Sequence, residues 1–156
     1  MMLEFLKNNV RRIVVGRGLT EEFVRAQRLW KKGGINKLLA KLSQKKIQQK
    51  FGCHLSLGAN ISAYLETIHP VAVVGEGVTT EKNVKIYQSV TLGSKPRDGI
   101  AAYPVIEDDV VIFSGAAILG GVIIGKARVI GANSVVLQSI PENSTAVGEP
   151  VKVLSS

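Results

Sequence analysis

Two imidazoles, His54 and His69, and one thiol, Cys53, are the groups in this chain best placed to titrate near neutral pH. A neutral imidazole can take the proton of a hydroxyl as that oxygen attacks a carbonyl, which makes a histidine the natural general base here. One cysteine leaves no internal disulfide framework, and two histidines cannot build a multi-histidine metal site in one chain. No metal requirement is therefore expected. Nothing near Cys53 in sequence would lower its pKa, so it reads as a buried structural thiol rather than a nucleophile. His54 follows a helix end and reads as a structural or surface residue. His69 lies where a regular pattern is interrupted, and so does the stretch Ser94 to Pro104, which carries Arg97, Asp98 and Tyr103.

The interrupted pattern has a period of six. Val74, Thr80, Ile86 and Leu92 are spaced by six, and so are Ile106, Ile112, Ile118, Ile124, Ile130 and Val136; nine of these ten are Val, Ile or Leu. Four residues after each stands a second set, among them Val78, Val84, Val90, Val110, Ala116, Val122, Ser134 and Ile140. Neither a helix nor an alternating strand accounts for apolar residues at i and i+4 of a strict hexad. A triangular coil does, with one short strand and one turn per hexad and inward residues stacked from coil to coil. Arg128 occupies an inward position of the second set and needs a partner or a coil corner. An earlier rung is expected at Leu57-Gly58 with Ile61. On that count, loops leave the coil near 62–72 and 94–104, and insertions of this kind are candidate functional loops.

Before the repeat, residues 1–52 form an α-helical segment, and residues 53–156 form the coil. Thr20 with Glu21 and Glu22 predicts a helix start, Gly33-Gly34 a stop, and Gly52 the left-handed residue after a second helix. The spacing of Ile35, Leu38, Leu39 and Leu42 predicts that helix's buried stripe. Residues 1–52 hold 13 Lys/Arg against 3 Asp/Glu, whereas residues 53–156 hold 7 against 9. Few aromatics and no nucleic-acid motif accompany this charge, so no nucleic-acid partner is expected. The basic helices suit a solvated face or peripheral contact with an anionic membrane surface. Glu4, Lys7, Arg11 and Arg12 interrupt the apolar residues at the N-terminus, so a cytoplasmic location is expected.

Ile86 to Gly93 (I-Y-Q-S-V-T-L-G), Pro104 to Gly120, and Val135 to Val153 together resemble the serine acetyltransferase branch of the hexapeptide-repeat acyltransferases. His69-Pro70 before Val73-Val74 is similar to a segment of sugar and capsular-polysaccharide O-acetyltransferases. The resemblance implies an all-β, left-handed parallel β-helix behind a short helical segment. It also implies direct acetyl transfer from acetyl-CoA to a hydroxyl, with His69 as catalytic base, and a homotrimer whose subunits share each site. Ser114, Gly115, Ala132, Asn133 and Lys152 match its CoA-binding positions. The branch has an acidic residue before its histidine and an Arg-His pair before the proline of the second loop; here stand Ile68, Ala102 and Tyr103. Without those charges a serine carboxylate lacks its usual donors. The departure implies a sugar or polysaccharide-precursor hydroxyl as acceptor, with Asp98 and Tyr103 as contacts. The alternatives are a serine O-acetyltransferase and a non-catalytic trimeric scaffold.

Overall fold

The structure, a computed structural model, describes residues 18–63, 65–67, 71–96, 99–142 and 144–155. Two helices, α1 (Gly18–Lys32) and α2 (Ile35–Phe51), precede fifteen short strands in three sheets. The first sheet holds β1 (His54–Leu55), β4 (Val73–Val74), β7 (Thr91–Gly93), β10 (Ala117–Leu119) and β13 (Val135–Val136). The second holds β2 (Asn60–Ile61), β5 (Thr79–Thr80), β8 (Val105–Ile106) and β11 (Ile123–Ile124). The third holds β3 (Glu66–Thr67), β6 (Lys85–Ile86), β9 (Val111–Ile112), β12 (Val129–Ile130), β14 (Ser144–Val147) and β15 (Lys152–Ser155). Every pairing is parallel except β14 with β15. Three strands make a coil, and stacked coils make a left-handed parallel β-helix.

The hexad positions are the core. Val74, Ile86, Leu92, Ile106, Ile112, Ile118, Ile124, Ile130 and Val136 are all fully buried. Residues in register stack like on like, as in Ile106 on Ile124 and Ile112 on Ile130. Burying one such side chain contributes roughly 1.5–3 kcal/mol, so the column dominates stability.

The first coil differs from the expectation. Leu55 pairs with Val74, Ile61 with Thr80 and Thr67 with Ile86. The rung therefore starts at Leu55, and Leu57 is buried in the turn beyond it. Leu55, Ile61 and Thr67 keep the period of six, so the break around His69 amounts to one extra residue between Thr67 and Val74. Counting from Leu57 spreads that single residue into a long loop. The second break is a true excursion, with fourteen residues from Leu92 to Ile106 where six would do.

The helices close the N-terminal end. Alternate residues of a parallel strand direct their backbone polar groups to opposite neighbours. In the first coil His54, Asn60 and Glu66 turn toward the second coil, where their N–H groups donate to Ala72, Val78 and Val84 carbonyls. The adjoining Leu55, Ala59 and Leu65 face the open end, where unpaired edge groups are costly. Three side chains reach their carbonyls: Gln44 Nε2 donates to Leu55 O at 2.7 Å, Gln27 Nε2 to Ala59 O, and Thr20 Oγ1 to Leu65 O at 2.9 Å. Thr20 is therefore a buried docking residue inside α1, which begins by Gly18, and not its N-cap. Gly52 ends α2 as expected, at φ 66°, with its N–H on Gln48 O at 2.9 Å.

The buried stripe of α2 is not the expected one. Ala40 and Ile47 face the core, while Ile35, Leu38, Leu39 and Leu42 are exposed. The stripe satisfies helical periodicity, but Gln44 has to reach Leu55, and that rotation sends the leucines outward.

Candidate functional site

The two breaks leave the coil at different corners. The first break falls in the chain between β3 of the third sheet and β4 of the first. His69 itself, with Ile68 and Pro70, lies outside the described residues, as do Arg97 and Asp98. The chain is described again from Val71, two residues past His69. Val71 has φ 82°, a left-handed conformation that a β-branched side chain adopts only under constraint. Its N–H donates to Cys53 Sγ at 3.2 Å, and its carbonyl accepts from Ser89 N–H. The buried thiol thus anchors the chain at Val71. Sequence reasoning placed Cys53 in the core and had no signal for this contact.

The same corner recurs in each later coil. Gly115 N–H donates to Gln88 O at 3.0 Å, and Asn133 N–H donates to Ser114 O at 2.9 Å. Ser89, Gly115 and Asn133 all have positive φ, at 60°, 72° and 55°. A Cβ on Gly115 would overlap Asn133 Oδ1, so the column there is flat and closely packed. Gly115 therefore has to be glycine both for its φ and for its neighbour. Four of the expected CoA positions, Ser114, Gly115, Ala132 and Asn133, come together on this ridge, the first two half-buried and the others exposed.

Lys152 is exposed at the start of β15. The turn before it is tied to the ridge by Val151 N–H on Val135 O and Gly148 N–H on Ser134 Oγ. One face of the molecule therefore carries, in order along the axis, the Val71 corner, the small-residue ridge and Lys152. Backbone exposed on a small-residue ridge can receive an extended polyamide, and a lysine at its end suits a phosphate.

The second excursion, between β7 and β8, is clamped by glycines. Its early part meets Gly120, where a Cβ would lie 3.2 Å from Lys95 Cβ, and its later part meets Gly121, where a Cβ would lie 3.0 Å from Ala102 Cβ. Tyr103 then lays its ring over the turn after β4. A Cβ on Gly77 would overlap Tyr103 Cδ2, and one on Gly75 would stand 3.0 Å from Cε1. Tyr103 is half-buried against the core, so its ring is committed to seating the loop. Gly77, Gly120 and Gly121 were missed, because nothing in a single sequence marks a glycine as a seat for a distant side chain.

Arg128, the misfit of the hexad, is buried at its corner, with Nη1 3.5 Å from Ser144 O. His54 is exposed on β1. A cleft of about 850 Å³ runs between α1 and the third sheet, lined by Glu21, Glu66, Lys85 and Asp109 among others; none of the described candidate residues lines it.

No family profile matches the chain. It is 37% identical over 127 residues to the serine acetyltransferase of Escherichia coli (strain K12), which covers 81% of this chain and 46% of that enzyme. Among solved structures, a serine acetyltransferase in complex with CoA superposes with a TM-score of 0.80 at 33% identity, covering 92% of this chain and 59% of the other. The serine acetyltransferase of Neisseria gonorrhoeae in complex with serine gives a TM-score of 0.81 at 31% identity, covering 92% and 59%. The chain thus spans about half the length of the relatives it matches.

Proposed function

We propose that this chain, a homologue of the serine acetyltransferases built on the left-handed β-helix of hexapeptide-repeat acyltransferases, transfers acetyl from acetyl-CoA to a hydroxyl, with L-serine as the acceptor. The observation that carries this is the match to serine acetyltransferases along 81% of the chain, including the segments on either side of His69. The saccharide acceptor implied by Ala102 and Tyr103 gives way to serine. The relatives are serine acetyltransferases, and the Tyr103 ring, offered as an acceptor contact, is packed on Gly75 and Gly77.

In the proposed reaction His69 takes the proton from the serine hydroxyl as its oxygen attacks the thioester carbonyl carbon. The C–S bond breaks, and the imidazolium returns the proton to the CoA thiolate. No acyl-enzyme forms. Val71, two residues along the sequence from His69, is held by Cys53 and Ser89. Ser114, Gly115, Ala132 and Asn133 offer the pantetheine arm a flat ridge, and Lys152 offers a phosphate a cation. Asp98 remains a proposed contact to the acceptor. A homotrimer, in which a neighbouring β-helix forms the other wall of the ridge, completes the reading and is checked by light scattering of the purified protein.

Thiol release from acetyl-CoA, followed with L-serine, homoserine and a panel of sugars, tests the assignment. Turnover with serine is expected, and His69→Ala should lower kcat by about 10²–10⁴-fold while leaving acetyl-CoA binding intact. Turnover with a sugar alone would restore the saccharide reading. Absence of acetyl-CoA binding would make the chain a scaffold.

A further inference from the structure

We propose that the outward face of α2 docks on an anionic lipid bilayer. Ile35, Leu38, Leu39 and Leu42 are 76%, 58%, 47% and 50% exposed, an unusual cluster for a helix whose other side is already packed on the β-helix. At 3.6 residues per turn these four share one strip, opposite Ala40 and Ile47. Lys41 and Lys45 border the strip on one edge, and Lys46 continues it one turn beyond Leu42, all three exposed. Trp30 of α1 lies alongside, with the ammonium groups of Lys37 and Lys41 at 5.1 Å and 6.0 Å from its ring centroid. An apolar strip rimmed by lysines is the arrangement that settles at a headgroup boundary, with leucines among the acyl chains and ammonium groups at the phosphates.

Charge decides among occupants. From Phe23 to Leu65 the sequence holds nine Lys/Arg and no Asp/Glu. Two copies of this face would bring their lysines together. Residues 1–17 are also basic, with four Lys/Arg against one Glu. An anionic bilayer supplies both what the strip lacks, an apolar phase and negative charge. No described helix is long and apolar enough to cross a membrane, and interfacial docking requires none.

The test is co-sedimentation of the full chain with vesicles of phosphatidylcholine alone and of phosphatidylcholine mixed with phosphatidylglycerol. Binding is expected only to the mixed vesicles, and it should weaken as salt is added. The double variant Leu38→Ser/Leu42→Ser should lower partitioning roughly tenfold or more. Lys45→Glu/Lys46→Glu should lower it by a similar factor. Because these positions are exposed, the melting temperatures of both variants should match the parent, which separates lost docking from lost folding. Failure to bind mixed vesicles at low salt overturns the proposal, as does binding that the leucine variant retains. Concentration-dependent self-association abolished by the leucine variant would assign the face to a second copy, and would overturn it too.

Discussion

A Cβ at position 77 would overlap Tyr103 Cδ2, so the ring and the glycine define one another. Gly77→Ala should lift Tyr103 and with it the loop from Ser94 to Pro104. The expected cost is roughly 1–3 kcal/mol, as for other overpacked contacts, read as a lower melting midpoint and faster proteolysis within that loop. Tyr103→Phe keeps the ring and should preserve both stability and KM for the acceptor, whereas Tyr103→Ala should behave like Gly77→Ala. A raised KM in Tyr103→Phe would mean that the hydroxyl touches the acceptor. At this scale the sequence revealed which residues lie in the breaks of the repeat, His69 and Tyr103 among them. It did not reveal what each touches. A contact such as Tyr103 on Gly77 or Val71 on Cys53 joins residues whose distance in space is set by coil geometry, which the hexad count alone does not supply.

Among the elements, the hexad strands were the most legible because every third rung repeats the same environment. From Val74 onward the inward residues are those counted by six, and in the first coil Leu55 replaces Leu57 by the same rule. Helix α2 was read with the right period and the wrong face. Periodicity fixes the width of a stripe but not what lies beneath it: α2 turns Ala40, Gln44 and Ile47 toward the rest of the fold, with Gln44 on the Leu55 carbonyl, and leaves the four apolar side chains outside. Replacing Gln44 by Leu should strand the Leu55 carbonyl at a loss of about 1–3 kcal/mol. Gln44→Ala, which leaves room for water, should cost less. Urea midpoints of the two variants check the order; equal midpoints would mean that Gln44 contributes no cap.

Over the whole molecule, charge is organised by corner. Along the corner between the second and third sheets, Asp108 accepts from Lys82 N–H at 3.0 Å and faces Lys126 Nζ at 3.4 Å. The Lys82 N–H and then the Lys126 ammonium hold the Asp108 carboxyl below its ordinary 3.8, and the Asp108 carboxylate in turn lifts Lys126 above 10.5. A carboxyl depressed on folding stabilises above its unfolded pKa and loses that contribution as pH falls through the folded one. Asp108→Asn should therefore melt below the parent at neutral pH, and the gap should close as pH drops below 3.8 and through the lowered folded value. A gap that persists at still lower pH would point to lost hydrogen bonding in place of charge. At the opposite extreme, the Lys126 contribution holds up to 10.5 and fades as pH rises through its elevated value.

The stacking of coils ends, at the N-terminal side, in a rim of backbone groups set to pair. The groups that Leu55, Ala59 and Leu65 direct away from the second coil are spaced as they would be to meet another coil, so the N-terminal rim is a template for a further turn of β-helix. Helices α1 and α2 act as its stopper, through Gln44, Gln27 and Thr20. A fragment beginning at Cys53 would present that rim bare, and its expected failure is edge-to-edge association through the rim rather than simple unfolding.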